Sequence, residues 1–183
     1  MLDAYESIFP GEEEIVDRVR QLVLGHMDCF ERTCRPGHIT ASAWILSSDR
    51  RRVLLTHHRL LARWLQLGGH ADGQWDPLEV ALREAMEESG LSLLRVVRIE
   101  GQLVPLDVDV HEIPSRYDES GHLLEDAHHH HDIRFLLLAE GDEPPRASDE
   151  SHEVRWFTPG ELLRVTSEES VLRMLHKAAP WMV

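Results

Sequence analysis

The sequence is poor in cysteine and in basic side chains. It has only two cysteines, Cys29 and Cys34, among 183 residues, and both are compatible with reduced thiols in a cytoplasmic protein. Its 19 Lys and Arg residues are outnumbered by 33 Asp and Glu residues, which gives a formal net charge of -14 at pH 7. This charge is the reverse of a nucleic-acid-binding surface, so we expect no polymeric DNA or RNA partner. A small polyphosphate can still bind, because a bound metal ion inverts the local field of a carboxylate-rich site.

Long apolar runs are also missing. Residues 1–14 lack the basic and apolar regions of a signal peptide, and no stretch approaches the length of a membrane span. We therefore expect a cytoplasmic protein without membrane contact. Its length and 42% hydrophobic content predict a single domain over residues 1–183, with an N-terminal helical extension at 1–35 and a core at 36–183. The sequence leaves a homodimer open.

Two histidines lie near the cysteines in the sequence. His26 and His38 could join Cys29 and Cys34 in a four-ligand metal set, but the spacing matches no zinc pattern that we recognise. Ordinary thiols near the end of a helix are the preferred interpretation.

Apolar periodicity predicts an α+β protein. Apolar residues at three- and four-residue intervals favour an amphipathic helix over residues 11–31. The clearest helix signal spans residues 77–89, with Asp76 as N-cap, Pro77 at the first helical position and Gly90 as terminator. Strands are predicted at 39–46, 52–56, 64–67, 95–104, 108–113, 133–139 and 154–157, helices at 159–165 and 168–177, and long loops at 114–127 and 141–151.

The predicted helix at 77–89 has two contrasting faces. One arc of the helical wheel is apolar and the other is acidic, with Leu78, Ala81, Leu82, Ala85 and Met86 on the first and Glu84, Glu87 and Glu88 on the second. The carboxylates repel one another at these spacings and lie near the helix C-terminus, where the helix dipole also disfavours them. A solvated acidic face with Arg83 as partial counter-ion is one interpretation. The other is a site for Mg²⁺ or Mn²⁺, because these cations prefer oxygen ligands.

The residues around this helix closely resemble the Nudix box. That box reads Gly, five residues, Glu, seven residues, Arg-Glu, an aliphatic residue, any residue, Glu-Glu, any residue, Gly and an aliphatic residue. Counted from Arg83, the first glycine is Gly69 and every other element matches except one, because Trp75 stands in place of the first glutamate. The resemblance extends over residues 39–163. It implies a Nudix-like α/β/α sandwich with a mixed sheet, here preceded by an N-terminal helix.

The resemblance also implies roles for individual residues. Glu84, Glu87 and Glu88 would hold Mg²⁺ or Mn²⁺, with Glu84 also orienting or deprotonating the attacking water, and Arg83 would position these carboxylates. The carbonyl oxygen of Gly68 would be a further metal ligand. A later loop often supplies another carboxylate, for which Glu150 is the first choice and Glu153 the second. The missing glutamate at Trp75 is regarded as a structural partner in the family.

The candidates for contact with the substrate are Arg59, Trp75, His130 and Asp132. Arg59 could clamp a phosphate, and Trp75 could stack on a base or close the core. In the run at 128–132, alternation along an extended chain would place His128, His130 and Asp132 on one side. That side could face the diphosphate or a metal, or it could face solvent.

The resemblance and the acidic helix together predict a metal-dependent hydrolase. Such an enzyme would cleave a diphosphate linkage in a nucleoside diphosphate derivative or a related small polyphosphate. The replacement at Trp75 leaves open a catalytically degenerate Nudix-fold domain that binds nucleotides or regulates. A diphosphate isomerase of related fold is disfavoured, because neither cysteine lies where its catalytic thiol is expected.

Overall fold

The computed structural model describes residues 1–149 and 151–183. Within these residues the α-helices are α1 (Leu2–Ile8), α2 (Glu13–Gly25), α3 (Pro77–Ser89), α4 (Pro159–Val165) and α5 (Glu169–Ala178). The strands are β1 (Gly37–Leu46), β2 (Val53–His58), β3 (Arg63–Leu65), β4 (Leu67–His70), β5 (Leu94–Val96), β6 (Asp107–Ile113), β7 (Arg116–Tyr117), β8 (Leu123–Glu125), β9 (His128–Ala139) and β10 (Ser151–Phe157). None of the helices in these two ranges is long and apolar enough to cross a membrane.

Strand β1 lies at the centre of a mixed sheet. It pairs in parallel with β9 along its whole length and antiparallel with β2 and β4. Strand β9 pairs antiparallel with β5 and β6, while β2 pairs antiparallel with β3 and β10. These pairings confirm the predicted α+β class with a mixed sheet. All ten residues of β1 are buried, as expected of a strand that is covered on both faces.

Helices cover both faces of this sheet and confirm the predicted sandwich. On one face α3 packs through Val80, Ala81 and Ala85, which share an apolar core with alternate residues of β1. On the other face α4 and α5 contribute Leu162 and Met174 to a second apolar core. Because side chains alternate along a strand, each strand supplies residues to both cores.

The helical-wheel prediction for α3 is confirmed in part. Ala81 and Ala85 are fully buried, and Leu78 and Leu82 are partly buried against the same core. Met86 was predicted to pack but is 38% exposed. The buried stripe is rotated towards Val80 because Glu88, rather than Met86, lies against the sheet.

The N-terminal segment forms two helices where one was predicted over residues 11–31. Pro10 and Gly11, whose φ is +95°, separate α1 from α2. Tyr5 of α1 is fully buried in the α3-side core. Lys177 of α5 donates hydrogen bonds to the Tyr5 hydroxyl and to Glu12, both at 2.8 Å. The extension therefore shares the core and the ion pairs of the residues that follow it.

Three other expectations need correction. The predicted strand at 95–104 ends at Val96, since Glu100 and Gly101 adopt positive φ in a tight turn. The predicted loop at 114–127 contains the β7–β8 hairpin. Strand β9 begins at His128 instead of residue 133, because its polar first half pairs with both β1 and β6.

Candidate active site

The ends of α3 are fixed by local interactions. The Asp76 carboxylate accepts a hydrogen bond from the Leu78 amide at 3.0 Å, and Pro77 occupies the first turn. Gly90 ends the helix in the left-handed conformation, with φ of 67°. The observed range, Pro77–Ser89, is the predicted one. These caps fix where the helix begins and ends, while packing against the sheet decides which glutamates face β4.

Two of the three glutamates turn towards β4 and the third turns outward. Glu88 is buried, and its Oε2 accepts a hydrogen bond from the Gly68 amide at 3.3 Å. The Glu84 side chain is 13% exposed, whereas that of Glu87 is 62% exposed. Burying ionised carboxylates is costly without a compensating charge. The largely buried carboxylates of Glu84 and Glu88 therefore favour the binding of a cation at this position.

Arg83 ties the glutamates to the neighbouring strand. Its guanidinium donates to the carbonyl oxygen of His70 at 2.9 Å. It also forms ion pairs with Glu84 at 2.7 Å and Glu87 at 3.5 Å. This geometry agrees with a positioning role, since one planar cation pairs with two carboxylates and also binds the last residue of β4.

The two glycines of β4 are required for different reasons. A Cβ on Gly69 would lie 2.6 Å from the carboxylate carbon of Glu84, so the glycine makes room for that side chain. A Cβ on Gly68 would instead meet Ser42 Cβ at 2.3 Å and the Ala41 carbonyl oxygen at 2.6 Å. Gly68 is therefore constrained by the neighbouring strand, and Gly69 by the glutamate of α3.

A buried ion network lies on the sheet face opposite α3. Arg134 is 2% exposed and donates to Asp132 at 2.8 Å, Asp107 at 3.1 Å and Asp109 at 2.9 Å. Burial alone would lower the pKa of Arg134, but the three carboxylates outweigh burial and raise it. Arg173 of α5 reaches Asp107 and Asp109, so the network joins α5 to the sheet.

This network contains Asp132, which the sequence placed among the candidates for contact with the substrate. The residue is 4% exposed, and its carboxylate also accepts hydrogen bonds from Thr40, Ser42 and Gln66. These hydrogen bonds hold Asp132 in the interior of the protein, and its contact with the substrate stays a prediction. The predicted strand at 133–139 left Asp132 outside, so the sequence did not connect Arg134 with it. A strand begun at His128 would have shown Asp132 and Arg134 on one face.

Histidines gather at the other end of the same face. His38 of β1, His70 of β4, and His128 and His130 of β9 have neighbouring rings, with centroids 4.8–5.2 Å apart in five pairs. Burial, assisted by the nearby histidines, lowers the pKa of His38 to about 4 and that of His130 to about 2. Burial also lowers the pKa of His70.

The predicted alternation holds for this cluster. The Nε2 atoms of His128 and His130 are 3.3 Å apart, and Asp132 continues on the same face. His38, which the sequence grouped with His26, Cys29 and Cys34, belongs to this cluster instead. Both cysteines are buried free thiols.

A family model described as the NUDIX domain matches residues 36–177. The chain belongs to the Nudix family. The matched range contains the sheet, the helices from α3 to most of α5, and the whole segment at residues 69–91 that resembles the Nudix box. By class the chain is a Nudix-type pyrophosphohydrolase, as the resemblance implied. No curated protein sequence matches it.

Solved structures of Nudix hydrolases share the fold. A Caenorhabditis elegans Ap4A hydrolase complex aligns with a TM-score of 0.58 at 16% identity, over 78% of this chain and 96% of that one. A Nudix-family hydrolase from Clostridium perfringens aligns with a TM-score of 0.56 at 21% identity, over 78% and 95%. A UDP-X diphosphatase aligns with a TM-score of 0.54 at 15% identity, over 98% and 82%. At these identities the similarity establishes the fold alone.

Other residues that the sequence singled out lie outside α3 and β4. Trp75 precedes α3 and is 77% exposed, so it does not close the core. The exposed Arg59 donates to the Ser151 carbonyl oxygen at 3.4 Å. Trp64, by contrast, packs edge-on against Phe157. Glu150, the expected additional carboxylate, lies outside the described residues.

Proposed function

We propose that this chain is a cytoplasmic, metal-dependent hydrolase that cleaves the diphosphate linkage of a nucleoside diphosphate derivative or a related small polyphosphate. The observation that carries the proposal is that the carboxylates of Glu84 and Glu88 pack against β4. Arg83 braces the same strand and pairs with both Glu84 and Glu87. A solvated acidic face does not account for a buried Glu88 or for the clearance that Gly69 gives to Glu84.

The donor set fits a hard divalent cation. Glu84, Glu87, Glu88 and the carbonyl oxygen of Gly68 would hold Mg²⁺ or Mn²⁺, and Glu150 is proposed to assist. When bound, the cation neutralises charge on the diphosphate oxygens. The close approach of Glu84 to Gly69 supports this fit, because any larger residue at Gly69 would push the Glu84 carboxylate out of the proposed metal site.

The side chains of this chain have separate tasks in the proposed reaction. Glu84 is the candidate for orienting the attacking water and accepting its proton, since it is less exposed than Glu87 and is already oriented by Arg83. Arg83 is a positioning residue. Arg59 is the candidate for binding a terminal phosphate and Trp75 for stacking on a base.

The structural relatives indicate the class of compounds to be tested. One is named as an Ap4A hydrolase and another as a UDP-X diphosphatase, and both names describe a nucleoside joined to a further group through phosphates. We therefore propose a small-molecule substrate of this kind, with no nucleic-acid polymer or membrane as partner. Size-exclusion chromatography with light scattering tests whether the enzyme is a homodimer.

The deciding experiment is a substrate panel with and without metal. Nucleoside diphosphate sugars, dinucleoside polyphosphates and free ADP-ribose are incubated with Mg²⁺ or Mn²⁺, and products are separated by ion-exchange chromatography. We expect cleavage at a phosphorus–oxygen bridge for at least one compound, and its loss in excess EDTA. Full turnover in EDTA would contradict metal dependence. Nucleotide binding without any turnover would favour the degenerate binding domain.

A further inference from the structure

The histidine cluster contains a polar side chain that the apolar core does not explain. His38 is 1% exposed, and neither of its ring nitrogens has a hydrogen-bond partner among the described residues. The backbone of Cys34 raises the pKa of His38, but burial outweighs this effect and the pKa stays low. An unsatisfied buried polar group costs about 1–3 kcal/mol. Folded proteins rarely leave such a group without an ordered water or ion.

Two other imidazoles converge on His38 from the neighbouring strand. The parallel register of β1 and β9 places His38 beside His130, with His128 two residues away on the same face. One ring nitrogen from each of His38, His128 and His130 lies within 4.8 Å of the others. The Nε2 atoms of His128 and His130 are 3.3 Å apart. Two nitrogens bound to one tetrahedral ion at about 2.0–2.1 Å would be separated by about this distance.

The surroundings of His128 favour metal coordination. Its Nδ1 is 2.9 Å from the Asp126 carbonyl oxygen, which can only accept a hydrogen bond, so the ring proton belongs on Nδ1. That leaves the Nε2 lone pair directed at His130. A backbone carbonyl that fixes the tautomer in this way is the usual support of a metal-binding histidine. A hydrogen bond between the two Nε2 atoms is the competing explanation, but it leaves His38 unsatisfied.

We propose that His38, His128 and His130 form a second metal site for a divalent transition ion of the zinc class. Imidazole nitrogen suits Zn²⁺ better than Mg²⁺, which prefers oxygen. The site would be separate from the glutamate array, since consecutive residues of a strand face opposite sides. His70 belongs to the histidine face and Gly69 to the α3 face. The ring of His70 lies beside both His38 and His130, and His70 is the candidate for a fourth ligand.

The test measures zinc binding by untagged protein, because a polyhistidine tag would itself bind zinc. Protein stripped with chelator is titrated with Zn²⁺ by calorimetry, and the bound metal is counted after gel filtration. We expect one equivalent to remain bound to the wild type and to raise its melting temperature. The visible spectrum after loading with Co²⁺ should show the intense bands of a low-coordinate nitrogen site. Weak bands typical of six oxygen ligands would overturn the proposal.

Matched variants separate this site from the glutamates. His130→Asn and His128→Gln should each weaken Zn²⁺ affinity by at least about 100-fold, with circular dichroism confirming folding. The control His122→Asn, at an exposed histidine paired with Asp118, should bind like the wild type. The Glu88→Gln variant should also retain the zinc. Loss of zinc only in Glu88→Gln, or equal zinc binding by all variants, would refute the second site.

Discussion

Replacing Gly69 by alanine should lower catalysis while leaving the protein folded. The added Cβ would lie 2.6 Å from the carboxylate carbon of Glu84, and ordinary contact begins at 3.4 Å, so the carboxylate must retreat by about 0.8 Å. A misplacement of about 1 Å at a reacting group can cost about 100-fold in rate. We therefore expect kcat to fall by about 10- to 100-fold. Stability should change little, because the displaced atoms are the end of a flexible side chain and alanine restricts the unfolded chain more than glycine.

Gly68→Ala provides the matched control. Its Cβ would meet Ser42 Cβ and the Ala41 carbonyl of the adjoining strand, which cannot retreat freely, so overpacking should cost about 1–3 kcal/mol. Thermal unfolding and steady-state kinetics are measured on both variants with the best substrate of the panel. Gly69→Ala should lower kcat at an unchanged melting temperature. Gly68→Ala should lower the melting temperature and, because its carbonyl oxygen is a proposed metal ligand, kcat as well. Wild-type kcat in a folded Gly69→Ala protein would refute the placement of Glu84 in the catalytic array.

Three other substitutions test the surroundings of the site. Trp75→Glu should leave kcat within about tenfold of wild type, or about 1.4 kcal/mol, because Trp75 is exposed and the helix glutamates remain; loss of the proposed stacking contact would appear as a higher KM, and a large gain from an inactive wild type would indicate a degenerate binder. Arg134→Met should lower the free energy of unfolding by about 3–5 kcal/mol in urea titrations, because it leaves buried carboxylates without their cation; a loss below about 1 kcal/mol would contradict this. Asp109→Asn should destabilise the protein at pH 7, with the difference from wild type narrowing below pH 3.8. Burial raises the pKa of Asp109, but His111, Arg134 and Arg173 outweigh burial and lower it, so its stabilisation is complete above the ordinary value of 3.8 and is lost as the pH falls towards the lowered pKa. A difference that stays constant from pH 7 to pH 3 would rule this out.

Features set by neighbouring residues were predictable from the sequence. Asp76, Pro77 and Gly90 determine where α3 begins and ends through contacts within a few residues, and the family motif identifies its glutamates. The helical wheel wrongly predicted that Met86 is buried, because the direction of the buried stripe depends on which sheet residues oppose the helix.

Features set by strand pairing could not be read from local patterns. His38 meets His128 and His130 only because β1 and β9 align in parallel, and Thr40 reaches Asp132 across 92 residues of sequence. Arg134 is the clearest example. Composition favours a charged residue at the surface, but three aspartates from two strands stabilise it in the interior.

The most direct test of the proposed function compares two glutamates of the same helix. Glu88 is buried against β4, whereas Glu79 is exposed in the first turn of α3, and Glu→Gln at either position removes one charge without changing shape. With saturating Mg²⁺, kcat for diphosphate hydrolysis should fall by at least about 100-fold in Glu88→Gln, because an uncharged amide is a poor ligand for a hard cation. It should stay near the wild-type value in Glu79→Gln. Equal rates in the two folded variants would contradict the glutamate site as the catalytic centre.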